Sequence, residues 1–350
     1  MALDEAPPFW WQNPSWQAWL LSPLSYVYGR AAAKRMEFSA TASVPIPVMC
    51  VGNFIVGGAG KTPTVEMMSR VIRARGIRPG VLTRGHGGAI TASTVVKRDR
   101  HNAHDVGDEA LLHAAHAMTV VSADRPSGAR LLLEQGCEFI LMDDGFQNPS
   151  LEKDFNLVVV DGKRGLGNGF AMPSGPMRVP FKHQLLFADA VIIIGEGKAG
   201  DDVLRKCSRA GKPVLRAMTN PKTLLALDAY FAFAGIADPS KFFDTLSNLE
   251  IEVKGTEGFG DHHFFTDEEC DDLLEKADKA NATLITTAKD AARLRGMGDR
   301  QGKLLESSEV LNIELKVEDP NLIENMIDTA IENAMKRRLK SQKPVVIATE

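Results

Sequence analysis

The stretch V51-G-N-F-I-V-G-G-A-G-K-T-P63 places three glycines, a lysine and a threonine in the order that grips a phosphate. A tight glycine turn that exposes backbone N–H groups, followed by a helix N-terminus, is an anion site. Gly57, Gly58, Ala59 and Gly60 supply the turn. Lys61 can reach the β- and γ-phosphates of a nucleotide, and Thr62 can offer its hydroxyl to Mg2+. The common spelling G-x-x-x-x-G-K-[ST] is not met, because Ile55 stands where its first glycine belongs. The strand-like run Pro47–Val51 before the loop and the helical pattern after it still provide the strand, turn and helix that the chemistry needs.

Such a loop calls for an acidic residue at the end of a buried strand. C137-E-F-I-L-M-D-D-G-F-Q147 provides two, Asp143 and Asp144, with Gly145 allowing the chain to turn. Either carboxylate can hold Mg2+ directly or through water; a strand-end aspartate can also cap the next turn. Arg84, Arg125 and Arg178 follow strand-like or glycine-rich pieces and suit bidentate phosphate contacts, or else surface ion pairs. His101, His104, His113 and His116 form two H-x-x-H pairs, but no third ligand type accompanies them, so no zinc site is expected.

The elements that must position these groups alternate. Apolar runs at 47–51, 80–83, 119–122, 138–142, 157–160, 190–194 and 213–217 are separated by helical patterns such as 64–75, 109–117 and 128–135. Runs like F139-I-L-M142 and V191-I-I-I194 suit strands buried on both faces of a parallel sheet. The expected fold is α/β: a P-loop NTPase-like, doubly wound, mainly parallel sheet with a second, smaller α/β domain. The expected division is 1–40 as an N-terminal amphipathic helical segment, 41–220 as the core, 221–338 as the smaller domain and 339–350 as a flexible tail. In the smaller domain, strands are expected at 230–236, 283–286 and 310–316, a helix at 238–246 and a glycine-rich loop at 255–260. Thr266 and Glu269 form a capping box that opens a further helix.

A net charge of −4 argues against a broad nucleic-acid footprint. The four cysteines lack C-x-x-C spacing and read as reduced thiols. All four tryptophans and two of the three tyrosines precede residue 30, and Arg30, Lys34 and Arg35 follow them. Pro14 and Pro23 interrupt the segment, and no apolar run reaches the length of a membrane span. Aromatic residues beside basic ones suit a membrane surface; the alternative is that they dock the first helix onto the protein's own core.

Eight pieces in order carry a resemblance: VGNFIVGGAGKTP (51–63), VGDE (106–109), MDDGFQ (142–147), GLGNG (165–169), PSGPMR (173–178), FAGI (233–236), DHH (261–263) and TTAKD (286–290). Together they resemble the tetraacyldisaccharide 4'-kinase family over about residues 15–330. That resemblance implies ATP-dependent phosphorylation of the 4'-hydroxyl of an acylated glucosamine disaccharide 1-phosphate, a step of lipid A synthesis. It implies ATP and Mg2+ as cofactors and a peripheral place on the cytoplasmic face of the bacterial inner membrane, reached through the N-terminal segment. A monomer is expected. It suggests Asp108 as the base, His262 as its partner and Asp261 as holder of the imidazole. It adds Glu109 to Thr62, Asp143 and Asp144 around the metal, and assigns Arg84, Arg125, Asn168 and Arg178 to the substrate. Read alone, Asp108 serves equally well as a helix N-cap. Asp108 and His262 belong to different expected domains, so a working site would need those domains to close. The chain departs from the family pattern at His86, where tyrosine is usual, and at Ala288, where glutamate is usual, which puts the role of Lys289 in question.

Two other readings compete. The core G-G-A-G-K-T is similar to the loop of membrane-associated ParA/MinD-like regulatory ATPases, but Val56 replaces the lysine those proteins carry before the double glycine. A nucleotide-dependent metallochaperone would use the histidine cluster.

Overall fold

The structure is a computed structural model that describes residues 6–222 and 228–341. A short 3-10 turn, Pro8–Trp11, precedes helix α1 (Trp16–Met36). Then follow β1 (Val48–Asn53), α2 (Lys61–Ala74), β2 (Pro79–Thr83), β3 (Thr94–Val95), α3 (Ala103–Val106), α4 (Asp108–Ala114), β4 (Met118–Val121), α5 (Arg125–Glu134), β5 (Phe139–Asp143) and β6 (Phe155–Asp161). The series continues with α6 (Phe181–Phe187), β7 (Ala190–Ile194), α7 (Lys198–Arg209) and β8 (Val214–Pro221). The second series is β9 (Tyr230–Ala234), α8 (Pro239–Asn248), β10 (Val253–Gly258), α9 (Asp267–Ala280), β11 (Thr283–Thr287), α10 (Ala288–Leu294), α11 (Asp299–Glu306) and β12 (Ser308–Leu311). β13 (Ile313–Val317) and α12 (Pro320–Ser341) end it.

The strands form a nine-stranded sheet in the order β13-β8-β7-β6-β1-β5-β2-β4-β3 and a four-stranded parallel sheet in the order β10-β9-β11-β12. In the large sheet only the edge strands β13 and β3 run antiparallel. β1 is buried at all six residues and pairs in parallel with β5 and β6, with Val51 opposite Asp143. Continuous apolar sequence is what burial on both faces demands. One face carries a core around Phe54, Ile140 and Val191, the other a core around Met49, Met68 and Ile192.

Three expectations about elements change. The stretch 255–260, read as a glycine-rich loop, lies mostly in edge strand β10. A side chain at Gly255 would meet the Phe231 ring at 2.6 Å, so this glycine makes room for a neighbouring aromatic rather than a turn. The run 310–316, read as one strand of the small domain, is two strands in different sheets. β12 pairs with β11, and after Asn312 the chain crosses over so that β13 pairs with β8. α12 then packs on the core of the large sheet through Ile323, Met326 and Ile327. Arg337 of α12 pairs with Asp154 at 2.8 Å. Residues 313–338, assigned to the second unit from sequence, therefore complete the first. Third, Pro23 does not break the N-terminal segment but lies inside α1. The part of the expected tail at 342–350 lies outside the described residues; 339–341 belong to α12.

Candidate active site

The loop after β1 runs straight into α2, whose N-cap Gly60 has φ 90°. A Cβ there would be both left-handed and 2.5 Å from Ile194 Cδ1, which explains the glycine before Lys61. The Val56 N–H donates to the Pro176 carbonyl at 2.9 Å, so the PSGPMR piece braces the loop. The Asp144 N–H donates to the Val51 carbonyl at 3.0 Å and sets the strand-end acids beside the loop.

The two aspartates part ways at this point. Asp143 is buried and accepts from His113 Nε2 at 3.1 Å. Asp144 takes a left-handed conformation (φ 51°) and borders the cleft. It lies 3.7 Å from Lys61 Nζ and accepts two hydrogen bonds from Arg178, at 2.8 and 3.0 Å. Burial pushes the Asp144 carboxyl up, but the charges of Lys61 and Arg178 outweigh it and bring it down to about 2.

The VGDE piece opens α4. The Thr62 hydroxyl donates to Glu109 Oε1 at 3.2 Å, and Lys289 Nζ donates to the same oxygen at 2.7 Å. Burial raises the Glu109 pKa, yet Lys289 and Lys61 lower it to about 2. Asp108 is 3% exposed. Its Oδ1 accepts the Glu109 N–H at 2.8 Å, and its Oδ2 accepts from Arg293 Nε at 2.8 Å and from His262 Nδ1 at 3.2 Å. Burial works against ionisation of Asp108. The His262 hydrogen bond and the charges of Arg293 and Lys289 win, and hold it well below the usual carboxylate range. The His262 pKa moves up, chiefly through its hydrogen bond to Asp108, against the effect of burial. His262, like Asp144, is a non-glycine residue with positive φ (56°). Such backbones concentrate at functional sites.

A cleft of about 1790 Å³ lies between the two units. Lys61, Thr62, Glu109, Asp144 and Arg178 border it from the first, His262 and Lys289 from the second. Asp108 lies behind His262 and is not on the cleft wall. The two units already touch in this structure at Asp108–His262, and again where Arg164 meets Asp238 at 2.8 Å and Lys163 meets Asp244 at 3.2 Å.

Several expectations about single residues are corrected. Asp261 does not hold the imidazole. Its Oδ2 is 3.9 Å from His262 Nε2, beyond a hydrogen bond, while its Oδ1 accepts the His262 backbone N–H. Asn168 is buried, and its side chain is spent on backbone: Nδ2 donates to the Phe9 and Ser174 carbonyls and Oδ1 accepts from the Phe170 N–H. Arg125 is buried and points at the Ser122 and Asp143 carbonyls rather than into the cleft. Arg84, by contrast, stands where the sequence placed it, exposed directly after β2. The histidine cluster disperses: His113 sits on Asp143, His104 stacks on Phe264 and His101 accepts from the Lys97 N–H.

Two residues that carry much of this geometry were missed or left open. Arg293 is a buried hub that reaches Asp108, Asp290 and the Gly235 carbonyl; in sequence only its i+3 spacing from Asp290 hinted at a pairing. Lys289, unresolved from sequence because of Ala288, is oriented by Glu109 of α4, in the other unit.

The donor set suits a metal that arrives with phosphate. Thr62, Glu109 and Asp144 offer oxygens on the cleft wall, and Asp143 Oδ1 is a buried oxygen with no protein partner. No cluster of three or more His, Cys, Asp or Glu is spaced to hold an ion alone among the described residues. Mg2+ commonly takes one or two carboxylates and fills its octahedron with water and phosphate oxygens.

The phosphate loop, strand-end acids and doubly wound sheet define a P-loop NTPase-like nucleotide-binding protein. Residues 17–332 match the family described as tetraacyldisaccharide-1-P 4'-kinase. The chain is 46% identical over 340 residues to the tetraacyldisaccharide 4'-kinase of Agrobacterium fabrum, covering 97% of this chain and 98% of that one. It is likewise 46% identical over 343 residues to that of Rhizobium meliloti, covering 97% and 99%. A crystal structure of LpxK from Aquifex aeolicus in complex with ATP superposes with a TM-score of 0.69 at 26% identity, over 90% of this chain and 99% of that one. The chain belongs to the tetraacyldisaccharide 4'-kinase family. It is accordingly a kinase that uses ATP with Mg2+, and the regulatory-ATPase reading is not favoured.

Proposed function

We propose that the cleft transfers the γ-phosphoryl group of ATP to the 4'-hydroxyl of a tetraacyldisaccharide 1-phosphate, with Asp108 and His262 as the proton-accepting pair. The observation that carries this reading is the 3.2 Å contact between His262 Nδ1 and Asp108 Oδ2, set across the cleft wall from the phosphate loop. The sugar oxygen attacks the γ-phosphorus, the bond to the bridging oxygen breaks and ADP leaves with its electron pair. The hydroxyl proton passes to the Asp108–His262 pair. Gly57–Thr62 and Lys61 hold the phosphates. Arg178, fixed by Asp144, offers a guanidinium to anionic oxygens of nucleotide or lipid. Thr62, Glu109 and Asp144 would hold Mg2+, which when bound neutralises charge on the phosphates.

A second assignment within the pair is favoured by one observation. His262 borders the cleft, whereas Asp108 is buried behind it and held strongly acidic. In that assignment the imidazole receives the proton and Asp108 orients it. A carboxylate base makes Asp108→Asn far more damaging than His262→Gln; an imidazole base reverses the order.

The acyl chains would stay in lipid while the headgroup enters the cleft. Support comes from α1, which turns small residues inward and large apolar ones outward. Ala18, Ser25 and Gly29 are buried; Trp16, Leu20, Leu24 and Val27 are 71, 70, 63 and 67% exposed. Trp10 and Trp11 instead dock on the protein, Trp10 through Nε1 to the Pro173 carbonyl and Trp11 under Arg164. No helix among the described residues is long and apolar enough to cross a membrane. We place the chain peripherally, as a monomer, on the cytoplasmic face of the inner membrane, with α1 in the headgroup layer.

The deciding experiment uses purified protein, γ-labelled ATP, Mg2+ and tetraacyldisaccharide 1-phosphate in detergent micelles, beside Asp108→Ala and His262→Ala. Labelled bisphosphorylated lipid, with both variants slowed by orders of magnitude, is the expected result. ATP hydrolysis without lipid labelling would overturn the activity. Labelling that survives both substitutions would overturn the proton-accepting pair.

A further inference from the structure

Lys61 and Lys289, two of the lysines on the cleft wall nearest the phosphate loop, each rest on an acid. Lys61 Nζ lies 3.7 Å from Asp144, and Lys289 Nζ donates to Glu109 Oε1 at 2.7 Å. The oxygen that holds Lys289 also accepts from Thr62, the residue directly after Lys61. The Lys289 ammonium therefore sits next to the mouth of the phosphate loop, although it comes from α10 of the second unit. Nothing on its own helix competes for it: residue 288 is alanine, and Asp290 is committed to Arg293, Thr287 and the Gly235 N–H.

We propose that Lys289 is a second phosphate-binding lysine, which leaves Glu109 for the γ-phosphate when a metal–nucleotide complex fills the loop. The inference rests on the reading of Gly57–Thr62 as the nucleotide site. Glu109 and Thr62 would help hold a divalent cation that arrives with the nucleotide, and Glu109 Oε1, which now accepts from both Thr62 and Lys289, would then be released from the ammonium. A lysine on a flexible four-carbon stem needs only a short swing to reach phosphate oxygens beside that metal. In this position it adds positive charge where charge builds on the transferring group. The role also gives the second unit a direct part in the reaction, separate from His262. The contact is specific for the γ-phosphate, so ADP does not make it.

The test measures equilibrium binding of ATP and of ADP, each with Mg2+, to the full-length wild type, Lys289→Met, Lys289→Gln, Lys289→Arg and Lys61→Met. Melting curves check the fold of each. The wild type is expected to prefer ATP over ADP. Lys289→Met should reduce that preference about tenfold or more and lower kcat by roughly 100-fold, with ADP affinity within a few-fold of wild type. Lys289→Gln, which keeps a hydrogen bond to Glu109, should restore any lost stability but not the preference for ATP. Lys289→Arg should keep part of that preference. An unchanged ATP-to-ADP ratio in folded Lys289→Met, or its restoration by glutamine, would overturn the proposal and leave Lys289 as a structural partner of Glu109. Nucleotide binding that survives Lys61→Met would instead overturn the reading of the loop.

Discussion

His262 Nδ1 and Asp108 Oδ2 lie 3.2 Å apart although 154 residues separate them in sequence. The imidazole comes from the loop after β10 and the carboxylate from the first turn of α4, so the contact exists only when both sheets are folded and docked. Asp108→Asn keeps the shape but removes the negative charge. It should lower kcat by about 10²- to 10⁴-fold, the usual range for a lost proton acceptor. Nucleotide affinity should stay within a few-fold, because neither residue touches the glycine loop. Single-turnover kinetics beside equilibrium binding separates the two effects, and an equal loss in both would contradict the assignment.

The same contact predicts a pH dependence. Asp108 raises the His262 pKa, so the interaction favours the protonated imidazole. The stabilisation it gives is fully present below the unfolded histidine pKa and is lost as pH rises through the folded one. The stability difference between wild type and His262→Gln should therefore be largest below about pH 6.5 and shrink at alkaline pH. Denaturant melts across that range measure it. If the imidazole takes the reaction proton, kcat should also rise with pH through a pKa above the ordinary histidine value, and Asp108→Asn should move that limb down.

Arg293 gives a stability prediction. The residue is 2% exposed, and its guanidinium is shared by Asp108, Asp290 and the Gly235 carbonyl. Arg293→Met fills similar space but leaves two buried carboxylates without their counter-charge. Removing one partner of a buried ion pair costs about 3–5 kcal/mol, and a clear fall in Tm should follow. Arg293→Lys should rescue little, because one ammonium cannot reproduce the fork that reaches all three acceptors. A Tm within a degree or two of wild type would show that the hub adds little.

The parts of the site that were legible in sequence are those whose chemistry is local. A glycine turn between a strand and a helix announces phosphate binding within thirteen residues, and two aspartates at the end of an apolar run announce a metal-side acid. The parts that were not legible are settled by tertiary contact. Lys289 looked unsupported because its neighbour is Ala288, yet its partner Glu109 lies 180 residues away. Asn168 was placed at the substrate by the family resemblance alone, but its amide closes its own loop. The stretch 255–260 read as a loop because Gly255, Gly258 and Gly260 punctuate it, whereas the edge strand Val253–Gly258 uses Gly255 to make room for the Phe231 ring. The crossing at Asn312 was hidden because two short strands with one residue between them present a single strand-like run.

α1 supplies a prediction about the membrane surface. Leu20, Leu24 and Val27 recur at helical spacing and are largely exposed, while Arg30 follows on the same helix. The triple variant Leu20→Ser, Leu24→Ser, Val27→Ser removes apolar surface that is largely exposed in the protein. It should leave Tm nearly unchanged and reduce binding to vesicles containing anionic lipid by about tenfold or more, since each buried apolar side chain contributes on the order of 1 kcal/mol to interfacial affinity. Sedimentation with vesicles measures this directly. Vesicle binding equal to wild type would exclude α1 as the membrane face.

Asn168 and Arg178 separate a structural from a substrate role by kinetics. Both come from pieces that the family resemblance assigns to the substrate, but only Arg178 borders the cleft. Asn168→Ala deletes an amide that donates to the Phe9 and Ser174 carbonyls and accepts from the Phe170 N–H. Leaving such buried groups unpaired costs about 1–3 kcal/mol each. The expected result is a lower Tm with a KM for lipid close to wild type in the fraction that stays folded. Arg178→Ala frees Asp144 from two charge-assisted hydrogen bonds and removes a guanidinium from the cleft. It should raise KM for lipid or ATP, or lower kcat, by about tenfold or more, because a bidentate charged contact is worth roughly 1.5–3 kcal/mol. A KM effect at Asn168 with an unchanged melt would restore that residue to the substrate site.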